Sequence, residues 1–443
     1  MAVNRDQIKS TLSVLVMALT LPLLLRGLSY AQRIWVGAEG RLAAIAVETD
    51  HPIGQLPRPW QALAQGGEDL TTFLDGKTDQ LNIIKPKLIR VDHLYDQLVN
   101  VAASDWSKLD ALVEKIRAVG ATPFLSLSYM PLSIAKDPND VTSEPKDWNL
   151  WQQLVQKTIE RYSKEKAIPN IYYEVWNEPD LFGKWKIGSG KNYLDLYHSS
   201  VRAANSVVGA QPFKIGGPAT TGLYKNWTDE FFKFALENRI RVDFYSWHRY
   251  DSHVEKYAED VDNVQSWIDQ HPYFASVEKI ITEMGVSSEE NNSNNTMVGA
   301  AHLISVSREL LKKIDYGFTF SVTGKWGIWG KPRQETLNWL SSLGDERLGL
   351  TGEGSWVRAI AAQKGNTYQV LVTNYDPDNK HSEVVPVTFI NLRDQNFTLK
   401  KTIMGSAPII TQVATTAAIL QSEIPMLPNS IAILELTPVN KSQ

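Results

Sequence analysis

The sequence predicts an α/β protein, a (β/α)8 TIM barrel with a small C-terminal antiparallel β-sandwich domain. Three observations carry this reading. Between about residues 40 and 345, short β-branched runs alternate with segments of helical period, the pattern of parallel strands joined by crossover helices. After about residue 346 the helical period stops, and short apolar runs separated by turn residues take over. No glycine-rich dinucleotide loop follows any strand, which argues against an open doubly wound sheet.

Residues 1–31 read as a targeting segment. Arg5 and Lys9 precede an apolar run from Thr11 to Leu25, and Ser29-Tyr30-Ala31 offers small residues for a signal peptidase. The run is short for a membrane span, so a cleaved signal is expected, with a membrane tether through this segment as the alternative. In both cases the rest of the chain is expected to be exported: periplasmic, secreted, or anchored facing outward.

The barrel is expected over residues 32–345. Its first strand is placed in the 41–50 region, and 33–45 is a candidate extra strand for the sandwich. Leu88-Ile89-Arg90-Val91 is the next strand. Asp105 then caps a helix with Leu109, Leu112, Val113 and Ile116 on one face, ending at Gly120. A strand at 122–127 leads to a helix capped by Asp147, with Trp151, Leu154, Val155 and Tyr162 on one stripe. Further strands fall at 171–175, 213–216, 242–247, 279–282 and 317–322. Helices lie near 191–208, 226–237, 257–269, 297–313 and 334–343. Eight strands in about 300 residues suit a closed barrel. The sandwich, 346–443, has runs at 356–363, 367–374, 384–390, 397–403 and 430–436. Lys364-Gly365-Asn366 and Asp376-Pro377-Asp378 are two of its turns.

Composition excludes several function classes. The chain has 443 residues, 21% of them charged, with a net charge of −4. That is no nucleic-acid footprint, and no nucleic-acid partner is expected. It has no cysteine, which excludes disulfides, thiolate metal sites and a cysteine nucleophile. The 8 histidines are scattered, without HExxH or carboxylate-cluster spacing, and no phosphate loop is present. Hence no metal and no cofactor is expected. The 14 Trp, 16 Tyr and 13 Phe suit a large core, and flat rings also suit the C–H faces of sugars.

Two carboxylates carry the chemistry. Val175-Trp176-Asn177-Glu178-Pro179 puts Glu178 at the C-terminal end of the fourth barrel strand, the face where this fold builds its sites. Ile280-Ile281-Thr282-Glu283 puts Glu283 at the end of the seventh, across the barrel mouth. Opposed carboxylates are what glycoside hydrolysis needs: one protonates the leaving oxygen, and the other attacks or activates water.

On these residues the chain resembles the clan A glycoside hydrolases. It is most similar to family 39, which includes β-xylosidases, α-L-iduronidases and exopolysaccharide-acting enzymes. The similarity also runs through Ile89-Arg90-Val91-Asp92-His93, residues 124–131, Ile215-Gly216-Gly217-Pro218-Ala219, residues 243–250 and Pro428-Asn429-Ser430. The resemblance implies a retaining hydrolase acting on a carbohydrate, with Glu178 as acid/base and Glu283 as nucleophile. It implies that Asn177 bonds the sugar 2-hydroxyl, that Arg90 and Tyr250 hold Glu283, and that His93 and His248 line the pocket. Trp326 or Trp329 would form the floor on which a sugar stacks. Two positions depart from the family pattern: Ser126 stands where a glutamate is common, and Met284 where tryptophan is. Arg90 could instead simply pair with a core carboxylate such as Glu174, Trp185 could be an outer subsite or packing, and both histidines could be structural. The competing functions are a transglycosidase using the same residues and a catalytically idle carbohydrate-binding protein.

Overall fold

The computed structural model describes residues 40–439 apart from 68, 102–104, 290, 291, 312, 394 and 416; residues 1–31, where a targeting segment is expected, lie outside the described residues. The chain enters through β1 (Ile45–Gln55). A parallel barrel then closes in chain order through β2 (Ala62–Gln65), β3 (Leu88–Val91), β4 (Thr122–Leu127), β5 (Ile171–Val175), β6 (Phe213–Thr220), β7 (Phe244–Tyr250), β8 (Glu278–Gly285) and β9 (Tyr316–Phe320), which pairs back to β2. Its main outer helices are α1 (Thr78–Ile84), α2 (Leu94–Leu98), α3 (Ser107–Ala118), α4 (Trp148–Ile159), α5 (Tyr193–Asn205), α6 (Lys225–Glu237), α7 (Glu255–Ile268), α8 (Met297–Leu310) and α9 (Pro332–Ser342). Asp147 caps α4 as expected, accepting from Asn149 N, whereas Asp105 accepts from Ser107 N and sits one residue outside the start of α3.

The second sheet comprises β10 (Glu346–Thr351), β11 (Val357–Lys364), β12 (Thr367–Asn374), β13 (Glu383–Ile390), β14 (Asn396–Ile403), β15 (Ile409–Ala414), β16 (Leu420–Met426) and β17 (Ile431–Pro438). With β1 they run β15-β14-β17-β12-β11-β10-β1-β13-β16, antiparallel except for β1 beside β13. Inward residues enclose a separate core that includes Val47, Ala359, Val370, Val387, Phe397 and Leu434. The alternate residues Ile360, Leu371, Ile431 and Ile433 join the barrel's outer core. Both faces of β11, β12 and β17 are therefore buried, which is why these strands are apolar nearly throughout.

One expectation is corrected. The strand in the 41–50 region is not the first barrel strand; it is the start of β1, which pairs with β10 and β13. In β1 the buried residues Ile45, Val47 and Thr49 alternate with more exposed ones, which suits a sheet with one covered face. A barrel strand is covered on both faces, and Ala62-Leu63-Ala64-Gln65 is buried at every position. Alanine and glutamine are poor strand markers, so β2 leaves little trace in the sequence. The sandwich pairing sought for 33–45 begins at its last residues, where Ala44 N donates to Gly352 O at 2.8 Å and Ile45 pairs with Val387, while residues 33–39 lie outside the described residues.

The barrel interior is layered by the two-residue period of its strands. At the base, Ala62, Ala64, Leu88, Phe124, Tyr172, Phe244, Ile280 and Phe318 form one apolar cluster. The Phe124 ring lies 5.1 Å from Tyr172, 5.3 Å from Phe244 and 5.0 Å from Phe318, so it fills the axis. Two residues higher, the same side of each strand turns polar, with Arg90 above Leu88, Ser126 above Phe124, Glu174 above Tyr172 and Ser246 above Phe244. All four are buried. The site rests on this layer.

Candidate active site

Glu174 is the anchor of the polar layer. Its carboxylate accepts from Arg90 Nε at 2.7 Å and from Ser246 Oγ at 2.7 Å. The Arg90 guanidinium also donates from Nη1 to Glu283 at 2.8 Å and from Nη2 to Asn177 Oδ1 at 2.7 Å. Both partners considered for Arg90 are thus real: it joins the interior carboxylate to the one at the mouth. Burial opposes its charge, but Glu174, Glu283 and Asp92 outweigh that and raise its pKa further.

A register break aims Glu283. Ile280 faces the barrel axis and Ile281 the outer core, so strict alternation would turn Thr282 inward and Glu283 away. The β7–β8 pairing instead steps from Trp247↔Ile281 to His248↔Glu283, and the extra residue forms a bulge. Glu283 thereby reaches the same side and height as His248. Its second oxygen accepts from the Tyr250 hydroxyl at 2.8 Å. Burial, reinforced by Glu283, raises the Tyr250 phenol well above its ordinary pKa, so it remains a donor.

Glu178 comes from the turn that follows β5. Trp176 (φ 73°) and Glu178 (φ 46°) occupy the left-handed region, a strain on the order of 1–3 kcal/mol each for side-chain-bearing residues. Local bonds hold the turn: Glu178 N donates to Ala219 O at 2.9 Å, and Phe182 N donates to Glu178 O at 2.7 Å. Trp176 Nε1 donates to Phe182 O at 3.0 Å. The Glu178 carboxylate meets His248 Nδ1 at 2.8 Å, and the same nitrogen lies 3.6 Å from Glu283. Burial works against a charge on His248, but Glu283 and Glu178 outweigh it and raise its pKa. One carboxylate oxygen from each glutamate and a His248 nitrogen lie within 4.8 Å of one another. Among the described residues this is the only such trio that could share a cation, and the Arg90 charge beside Glu283 opposes one there.

These groups open into a cleft of about 850 Å³. Asn177, Glu178, Tyr250, Glu283, His93 and Trp326 all line it. His93 Nδ1 also contacts Asp96 at 2.9 Å, and its ring meets Tyr129 edge-on at 4.6 Å. Trp329 does not line the cleft. It packs against the outer core with Lys77 Nζ 5.5 Å from its ring, so of the two tryptophans it is Trp326 that lines the cleft. Trp185 is buried edge-on against Trp176 at 5.4 Å with Lys191 Nζ 4.5 Å over it, which makes it packing.

Sequence reasoning passed over Asp92 and Tyr129, and over the rim residues Leu181 and Phe182, all of which line the cleft. Tyr129 accepts from Asn177 Nδ2 at 2.8 Å and fixes its amide. A signal for Asp92 was present, since it stands two residues beyond Arg90 and four beyond Leu88 on the same face. The rim residues lie on turns, where no period marks a direction.

The family model for glycosyl hydrolases family 39 matches residues 44–340. A β-xylosidase from Geobacillus stearothermophilus is 29% identical over 297 residues, 56% of this chain and 58% of that protein. The chain thus spans little more than half the length of that relative. Two solved structures share the fold. The GH39 enzyme from Xanthomonas axonopodis pv. citri has a TM-score of 0.75 at 18% identity, covering 91% of this chain and 99% of the other. A monomeric β-xylosidase from Caulobacter crescentus CB15 has a TM-score of 0.75 at 19% identity, covering 90% and 100%.

Proposed function

The chain belongs to glycosyl hydrolase family 39, and from that premise we propose that it hydrolyses O-glycosidic bonds of an oligo- or polysaccharide by double displacement, with retention of anomeric configuration. The observation that carries this reading is the approach of one carboxylate oxygen of Glu178 and one of Glu283, from opposite barrel strands, to within 4.8 Å. Direct attack on an anomeric carbon asks for carboxyl groups about 5–5.5 Å apart, whereas inversion needs a wider gap of about 6.5–9.5 Å for water.

The division of roles follows from the surroundings. Glu283 is held on both oxygens, by Arg90 and Tyr250, which favours a fixed, ionised nucleophile. Glu178 meets only His248 and is the more exposed of the two, as a group that exchanges protons with substrate and water must be. Glu178 protonates the leaving oxygen while Glu283 forms a glycosyl ester. Once the Glu283 charge is consumed, Glu178 takes a proton from water, and the hydroxide releases the sugar and regenerates both groups. Asn177, oriented by Arg90 and Tyr129, stands ready for the 2-hydroxyl, a contact that tightens in the transition state.

The relatives make β-xylosides the first substrates to try. Following the anomeric proton by NMR during cleavage tests the mechanism: the first-formed product must keep the substrate's configuration, and an inverted first product overturns the reading. The reading also places the protein outside the cytoplasm. Its support is the charged-then-apolar N-terminus and the absence of cysteine. Among the described residues no helix is long and apolar enough to cross a membrane. Cell fractionation with N-terminal sequencing tests this; full-length chain in the cytoplasmic fraction would refute it.

A further inference from the structure

Asp92 is a buried carboxyl whose Oδ1 has no hydrogen-bond partner among the described residues. Only 4% of the residue is exposed, and Oδ1 is fully enclosed. Its backbone N–H donates to Gln65 O at 3.4 Å, and among the described residues no side chain bonds its carboxyl. The residue nonetheless lines the cleft that holds Glu283 and Tyr129. Burial, the largest influence, pushes its pKa up to about 7 against the opposing pull of His93 and Arg90. A carboxyl in this position costs free energy until donors arrive. Arg90 makes no hydrogen bond to it: the guanidinium is aimed at Glu174, Glu283 and Asn177. His93 is turned to Asp96. The donors must come from what enters the cleft.

The remaining charges of the cleft say what kind of molecule that is. Asp92, Glu178, Glu283 and Glu289 line it. The cations lining it, His93 and Arg249, are engaged: His93 with Asp96, and Arg249 Nε with Asp260 at 2.7 Å. Among the described residues lining the cleft, a sugar carboxylate would meet cations that are already engaged and several acids. Sugar hydroxyls, as donors, suit Asp92.

We infer that Asp92 is a specificity-determining residue that accepts hydrogen bonds from the 3- or 4-hydroxyl of the sugar held against Glu283, so that the site takes a neutral glycosyl unit and rejects a uronic acid. This rests on the hydrolase reading above. It adds a contact that the two glutamates do not require for their chemistry.

The test is a cycle between enzyme and substrate. The full chain and its Asp92→Asn and Asp92→Ala variants are assayed on 4-nitrophenyl β-xyloside, β-glucoside, β-galactoside and β-glucuronide. The 3-deoxy and 4-deoxy forms of the best substrate are assayed beside them. Wild type is expected to prefer a neutral glycoside, and Asp92→Asn to lower its kcat/KM on the order of 10- to 100-fold. One deoxy substrate should suffer a comparable loss with wild type, and that loss should vanish in Asp92→Ala; should Asp92→Ala fail to fold, Asp92→Leu, which fills the space and has no acceptor, takes its place. A deoxy penalty undiminished in the variant, or preference for the glucuronide, overturns the inference while leaving the hydrolase reading intact. Cleavage of none of these substrates, nor of xylan oligosaccharides, sinks both.

Discussion

Replacing Arg90 by methionine separates what holds the barrel from what serves the reaction. The substitution keeps much of the volume and removes a charge shared by two carboxylates. Glu174 is fully buried and would retain only Ser246. Removing one partner of a buried pair typically costs about 3–5 kcal/mol, because the other charge stays buried. The activity loss has a different origin, the single charge-assisted bond from Nη1 to Glu283 at 2.8 Å. At about 1.5–3 kcal/mol it corresponds to a fall in kcat/KM on the order of 10- to 100-fold. Adding Glu174→Gln removes the stranded charge and should restore much of the stability but none of the rate. Urea unfolding of both variants beside kinetics on an aryl glycoside reads the two effects separately. If the double variant regains rate together with stability, Arg90 acts only through the fold. A stability loss below about 1 kcal/mol in Arg90→Met would sink the account of the polar layer.

Other perturbations follow from the same geometry. Tyr250→Phe deletes one hydrogen bond to Glu283 and leaves the ring, so kcat should fall on the order of 10- to 100-fold with little change in unfolding midpoint; a KM effect alone would contradict it. Trp326→Ala should raise KM several-fold, about 1 kcal/mol for a lost stacking face, whereas Trp329→Ala should cost stability and spare the kinetics; the opposite pattern would exchange their roles. Gly216→Ala should destabilise severely, because its Cβ would collide with Phe244 O inside the barrel, and soluble yield with normal melting would refute that. His302 is buried with its pKa lowered from 6.5 to about 4, mainly by burial. Between those values unfolding takes up a proton, so stability falls as pH drops from about 6.5 to about 4, by on the order of 3 kcal/mol from this group. Denaturant unfolding across that interval should show a shallower fall in His302→Gln.

Much of this protein is legible in one dimension because its determinants are local. Strand–helix alternation marks parallel crossovers, and β3 and β5 lie where the β-branched runs place them. Glu178 and Glu283 are readable because each closes a recognisable strand, and strand number alone puts them on opposite sides of a barrel mouth. What stayed hidden depends on long-range contact. The apolar alternation of β1 looks the same whether the sheet above it is the barrel or the sandwich; only pairing with β10 and β13 decides. β2 is made a strand by burial on both faces, against weak local propensity. The aim of Glu283 depends on a bulge against β7, which no period in β8 announces. The choice of Trp326 over Trp329 is a matter of which ring the loop after β9 turns outward. Arg90 shows the division best. Its place on β3, facing inward, follows from the two-residue period, but its simultaneous hold on Glu174, Glu283 and Asn177 exists only once three strands converge, since charge pairing depends on distance in space and not along the chain.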